Sequence, residues 1–215
     1  MHVVITGGNR GIGAGLATAY SARGDTVTAT ARDGTPGLAP LDVADPNSQT
    51  AFAQSLDGQA VDLLICNAGV FLDRGQDLAG GFAPDLWADS FAVNVTGVFL
   101  TVQNLLPSLR AGQNAKVAII SSQMGAHSKA KGRDFIYRAS KAAALNLGIN
   151  LSHALKDDEI SVGIYHPGWV ITDMGGAAAD INVDQAVDGL MREFDALTLE
   201  TTGCFRTWDA RDHPY

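Results

Sequence analysis

A glycine-rich turn, set between a short apolar run and an amphipathic stretch at the head of the chain, restricts the fold more than any other feature. Val3-Val4-Ile5 is β-branched and runs into Thr6-Gly7-Gly8-Asn9-Arg10-Gly11-Ile12-Gly13, after which Ile12, Leu16, Ala19 and Tyr20 recur at helical spacing. Strand, glycine turn and helix together are expected to form a nucleotide-binding unit, with an ordinary glycine-rich turn as the alternative. The glycines let the backbone approach a pyrophosphate, and the helix N-terminus offers free N–H groups and the positive end of its dipole. The spacing of Gly7, Gly11 and Gly13 differs from the common G-x-G-x-x-G fingerprint.

A second strand, residues 26–32, should end beside the adenosine ribose of a dinucleotide. An acidic residue there would bind the ribose hydroxyls of NAD and repel a 2′-phosphate. Ala31-Arg32 offers a guanidinium instead, which suits phosphate. NADP(H) is therefore expected in preference to NAD(H), with Arg10 as a second contact, although Asp33 follows at once. Residues 33–39 are of loop type and precede Pro40-Leu41-Asp42-Val43, too short a link for the usual helical crossover. A helix should be missing between strands 2 and 3.

Asp45-Pro46-Asn47-Ser48 opens a helix bearing Phe52 and Leu56, and residues 61–66 form a buried strand ending at Asn67-Ala68-Gly69. One helix is expected over 86–109, with Asn94 inside it. Residues 117–120 form a strand that ends in Ser121-Ser122, and a polar loop over 123–134, with His127, Lys129, Lys131 and Arg133, leads into a helix carrying Tyr137 and Lys141. The loop itself reads as a solvated surface. A Tyr and a Lys four residues apart share a helix face, and an ammonium beside a phenol lowers its pKa. Residues 160–165 form the next strand, closed by His166-Pro167-Gly168-Trp169; a helix around 187–194 and a strand over 204–207 follow. This alternation predicts one α/β domain over 1–215, a doubly wound Rossmann fold with about seven parallel strands flanked by helices.

With 215 residues, 46% of them hydrophobic, the chain can bury one sizeable core. A net charge of −8 argues against a nucleic-acid or anionic-membrane surface and leaves a small molecule as the expected partner. Cys66 and Cys204 fall in apolar runs, as in a reduced, cytoplasmic protein, and no targeting segment is expected. No metal site is expected.

Thr6-Gly7-x-x-x-Gly11-x-Gly13, Asn67-Ala68-Gly69, Asn94, Ser122, Tyr137-x-x-x-Lys141 and Pro167-Gly168, in that order, resemble the short-chain dehydrogenase/reductase family across nearly the whole chain. The His166–Val170 stretch, Thr172-Asp173-Met174 and the ending from Gly203 to Asp209 look most like its C-factor and sniffer-type carbonyl reductase branch. The resemblance implies NADP(H)-dependent chemistry on a small carbonyl or alcohol. Tyr137 would be the acid or base, Lys141 would lower its pKa and hold the nicotinamide ribose, Ser122 would bind the substrate oxygen and Asn94 would hold a relay water. Ser121 stands beside Ser122, which leaves open which serine acts.

For the cofactor, the resemblance implies Gly7, Asn9, Arg10, Gly11, Ile12 and Gly13 at the pyrophosphate turn, Arg32 at the ribose, and Asp42 and Val43 at the adenine. Asn67, Ala68 and Gly69 would lie near the adenosine, and Pro167, Gly168, Val170 and Thr172 over the nicotinamide, with Tyr137 and Lys141 touching its ribose. The small-residue run after Asp173 suggests a shallow, open pocket lined by Phe71, Gln123, Met124, Trp169 and Met174, though core or lid packing would equally place the apolar ones. A homodimer or homotetramer, paired through the helices around 86–109 and 135–156, is implied by family habit. The C-factor likeness also carries the alternative of a signalling or scaffold protein in which the dinucleotide is bound rather than turned over.

Overall fold

Val3 and Ile5 point to one face of the sheet and Val4 to the other, and all three are fully buried, so the first strand is covered on both sides by helices. The computed structural model describes residues 1–214; Tyr215, the last residue of the expected domain, lies outside that description. Its strands are β1 (His2–Ile5), β2 (Thr26–Ala31), β3 (Ala39–Pro40), β4 (Leu63–Cys66), β5 (Lys116–Ile120), β6 (Ser161–His166) and β7 (Phe205–Thr207). They form one seven-stranded, parallel sheet in the order β3-β2-β1-β4-β5-β6-β7. The order reverses between β1 and β4, which opens a crevice at their carboxyl ends.

Helices α1 (Gly11–Ala22) and α6 (Val183–Ala196) cover one face, where Leu16, Tyr20, Leu190 and Phe194 meet Val3, Ile5 and Ile65. On the other, α2 (Pro46–Ser55), α4 (Gly97–Ala111) and α5 (Phe135–Ala154) bring Phe52, Leu105, Leu109 and Leu151 against Val4, Leu64 and Val117. Each such side chain, fully buried, contributes about 1.5–3 kcal/mol.

The missing crossover helix is confirmed. Thr30 pairs with Ala39 and Ala31 with Pro40, so β3 begins beside the end of β2 and residues 32–38 need return only about 7 Å. The strand expected over 40–43 is thus Ala39–Pro40, and Leu41 and Val43 turn into the core. The helix expected over 86–109 is interrupted: α3 (Pro84–Phe91) passes through a π-helical turn at Ala92–Thr96 before α4. That turn carries Asn94, whose side chain bonds outside the helix. By length and mean hydropathy of 1.2, Pro84–Ala111 could cross a membrane, but half of its apolar window is buried, as in a core helix.

The helix bearing Tyr137 has no cap of its own. Asp134 at its head is left-handed, with φ of 55°, and makes no capping bond. Asp73, fully buried in the loop after β4, supplies it: Oδ2 accepts from Ile136 N at 2.8 Å and Oδ1 from Tyr137 N at 3.2 Å. Asp73→Ala leaves both donors unpaired and should cost about 1–3 kcal/mol in urea unfolding. Asp73→Asn, which keeps an acceptor, should cost less; equal stability of Asp73→Ala and wild type would show that the cap is idle.

Candidate active site

The carboxyl ends of β1 and β4 are locked by short bonds. Thr6 Oγ1 accepts from the backbone N–H groups of Asn67 and Ala68, both at 3.0 Å, and Asn67 Nδ2 donates to Thr6 O at 3.0 Å and Gly7 O at 2.9 Å. Gly7 turns there with φ of 67°, and a Cβ on Gly13 would stand 2.1 Å from Gly7 O. Both positions therefore demand glycine. Behind this turn α1 starts with no side-chain cap and no acid in its first turn, so among the described residues no side chain satisfies its leading amides. A glycine cradle under an open helix N-terminus fits a dinucleotide pyrophosphate.

The other expected cofactor residues are spread around the crevice. Asn9 Nδ2 donates to Asp33 at 2.9 Å, and the Thr35 hydroxyl donates to the same carboxylate at 2.5 Å, holding its pKa below the usual carboxylate range. Asp33 is thus taken up by its own loop and the glycine turn. Arg32 is exposed and has no carboxylate partner among the described residues. Arg10 pairs with Asp173 at 3.1 Å, both side chains largely exposed, so the contact is worth under about 1 kcal/mol. Asp42 Oδ1 accepts from Ala44 N at 3.0 Å, while Val43 and Ala68 line a small hollow apart from the main cavity. Ile12, Pro167, Gly168, Val170 and Thr172 share the main cavity with Tyr137.

Tyr137 and Lys141, one turn apart on α5, are both buried. Lys141 Nζ donates to Ile120 O at 3.0 Å and stands 5.8 Å from the centre of the Tyr137 ring. The two serines divide their work. Ser121 Oγ donates to Lys141 O at 2.9 Å, whereas the Ser122 hydroxyl accepts from Met124 N at 3.1 Å and lies on the cavity wall with Tyr137. Asn94, fully buried in the π turn, binds Val70 through both side-chain atoms at 2.9 Å and donates to Ser140 Oγ at 2.9 Å. Ser140 in turn donates to Tyr137 O at 2.9 Å. Gly69 lies against Asn94 and Lys141.

The net shift of the Tyr137 phenol is upward, because burial outweighs the lowering expected beside a cation. Burial pushes the Tyr137 phenol up to about 12, and the groups that pull it back are the Ser122 hydroxyl and the Arg74 guanidinium. Burial also brings Lys141 down to about 8. Both shifts favour the neutral form, which is what a low-dielectric site demands.

The cavity above Tyr137 measures about 530 Å³, and Phe71, Gln123, Met124, Trp169 and Met174 all line it. The run of small residues after Asp173 meets this cavity at Met174, Gly175 and Asp180. That segment is fastened along the rim by Arg10, by Arg74 donating to Met174 O, and by Trp169 Nε1 donating to Gly175 O at 2.8 Å. Phe71 stacks on Tyr137 with ring centres 4.3 Å apart, and Arg74 lies 4.7 Å over the Phe71 ring. The sequence reading missed Asp73, Arg74, Ser140 and His166. His166, which lines the cavity, is held neutral because burial brings its pKa down to about 4. Its place just before Pro167-Gly168 was the available signal; the others act through contacts distant in sequence.

The short-chain dehydrogenase family model matches residues 1–182. A 1-hydroxy-2-glutathionyl-2-methyl-3-butene dehydrogenase of Rhodococcus sp. strain AD45 is 33% identical over 226 residues, covering 96% of each chain. The protein named C-signal in Myxococcus xanthus is 35% identical, covering 77% of this chain and 99% of its own. Among solved structures, the NADPH-bound carbonyl reductase from chicken fatty liver matches with a TM-score of 0.91 at 30% identity, over 100% of this chain and 98% of its own. With the glycine cradle, the crevice and the Ser122–Tyr137–Lys141 arrangement already in place, these likenesses show that the chain belongs to the short-chain dehydrogenase/reductase family of oxidoreductases acting on CH–OH and C=O groups.

Proposed function

We propose that this protein is an NADP(H)-dependent reductase of small carbonyl compounds, running in reverse as an alcohol dehydrogenase, with Tyr137 as its acid and base. The observation that carries the reading is a buried phenol, Tyr137, sharing with Ser122 a cavity whose wall continues to the glycine cradle through Ile12 and Thr172. When bound, the nicotinamide supplies hydride for reduction or accepts it in oxidation. Ser122 and Tyr137 hold the substrate oxygen, and Tyr137 Oη gives it a proton as negative charge develops there. The phenolate left behind is stabilised by the Lys141 ammonium and the Arg74 guanidinium. Asn94 holds the π turn against Val70 and Ser140, and so keeps α5 in place.

NADPH is favoured over NADH because Arg32, at the end of β2, has no carboxylate partner among the described residues, while Asp33 is engaged by Asn9 and Thr35. The NADPH in the chicken carbonyl reductase agrees with this choice. The likeness to C-signal supports a second reading, cofactor binding without turnover. In that case Tyr137→Phe would keep full biological effect and a glycine-turn variant would lose it.

Tyr137→Phe should bind NADPH as wild type does yet reduce ketones about 10²–10⁴-fold more slowly in kcat. A wild-type rate in the variant would remove Tyr137 from the chemistry. Arg32→Ala should weaken NADPH far more than NADH in fluorescence titrations, since only NADPH carries the 2′-phosphate; equal losses would show that Arg32 does not read that group. The third expectation concerns pH. Lys141 has a pKa of about 8 in the fold against an ordinary 10.5, so between these values the unfolded chain binds the extra proton and stability contributed at this site climbs with pH. The urea midpoint of wild type relative to Lys141→Met should therefore rise from about pH 8 to pH 10. The raised thiols of Cys66 and Cys204 oppose this trend, but they are common to both proteins and cancel in the difference. A falling difference would mean that the ammonium is better solvated in the fold than out of it.

A further inference from the structure

The 123–134 loop carries Lys129, Lys131 and Arg133 in a chain of net charge −8. The structure puts all three on the wall of the Tyr137 cavity, together with Arg74 and Arg138. Five of the chain's 15 Lys and Arg thus face one cavity, against one, Asp180, of its 23 Asp and Glu. Among the described residues only Arg133 has a carboxylate partner, Asp134 at 3.5 Å.

The loop is built, not merely solvated. It folds into 3-10 turns at Gln123–Gly125 and His127–Lys129, and Arg138 fastens it to α5 by donating from Nη1 to Lys129 O at 2.7 Å and Met124 O at 3.4 Å. Arg138 Nε is buried without a protein partner. Arg74 marks the inner end of the cation array, one aromatic ring away from Tyr137. Like charges gathered on one wall repel one another, and an anion of matching position relieves that repulsion while it binds.

We propose that the carbonyl substrate also carries a carboxylate, seated against Lys129, Lys131 and Arg133 while the carbonyl reaches Ser122 and Tyr137. The inference rests on the reductase reading for the reacting group only; the anion site has its own readout. The test compares 4-acetylbenzoate with its methyl ester, in NADPH turnover and in calorimetric binding to the protein–NADP⁺ complex. It uses wild type and the Lys129→Gln/Lys131→Gln/Arg133→Gln variant, with folding checked by circular dichroism.

The acid should exceed the ester by at least about tenfold in kcat/KM, and that ratio should fall toward one in the variant and at high salt. Equal kcat/KM for acid and ester in wild type overturns the proposal and leaves the reductase reading intact. So does an acid preference that survives in the variant. If neither compound is reduced, calorimetry decides: binding of the acid alone, lost in the variant, upholds the anion site while the reductase reading falls, and equal or absent binding of both compounds overturns the site.

Discussion

The fastening of one helix across the carboxyl edge of the sheet is the constraint on which the rest of the site depends. α5 must hold Tyr137 still beside strands to which it is joined only by loops, and helix packing alone leaves rotation and sliding open. Four polar contacts remove that freedom: Asp73 at its head, Asn94 on Ser140, Ser121 on the Lys141 carbonyl, and Lys141 Nζ on the Ile120 carbonyl. They come from the loop after β4, the π turn and the end of β5, so the site is set by several elements at once. All are buried, where an unmade bond is costly, and so each enforces the others.

Burial also shapes the chemistry available. The same desolvation drives Tyr137 up and Lys141 down, so near neutrality the phenol keeps its proton while the amine sits within about a unit of losing one. A protonated phenol is the form that carbonyl reduction requires. The reverse reaction needs the phenolate, and the cations within reach of it are Lys141 and, behind the Phe71 ring, Arg74. In the proposed mechanism, the direction of proton transfer is thus governed by the environment of one hydroxyl more than by its neighbour on the helix.

Much of this could be read from the sequence because it is local. β-branched runs alternating with helical periods give the sheet, a glycine turn between them gives the crevice, and loop-type residues from 33 to 39 give the lost crossover. The features that escaped are those in which distant residues cooperate. Asp73 caps a helix that begins more than sixty residues later, with no capping pattern in its own neighbourhood. The π turn keeps an apolar periodicity close to that of an α-helix, so only Asn94's outward bonds to Val70 and Ser140 betray it. The pair Tyr137 and Lys141 was visible, but the sign of the phenol's shift was not, because helix spacing conveys proximity and says nothing of how deeply the pair is buried.

Charge placement joins the two ends of the crevice. The chain is acidic overall, which repels anions at long range, yet among the described residues Arg32 has no carboxylate partner at the end of β2, and the cations of the 123–134 loop stand around the cavity. In the proposed reading each patch meets its own anion, a 2′-phosphate at Arg32 and a substrate carboxylate at the loop. Within the crevice the low-dielectric walls concentrate their fields. A ligand with negative charge at the β2 end is therefore favoured in one orientation, and a second ligand with negative charge on the loop side is favoured in the opposite half. In the proposed reading, two separate cationic patches on an acidic chain would thus sort dinucleotide from substrate before any reacting atom is in place.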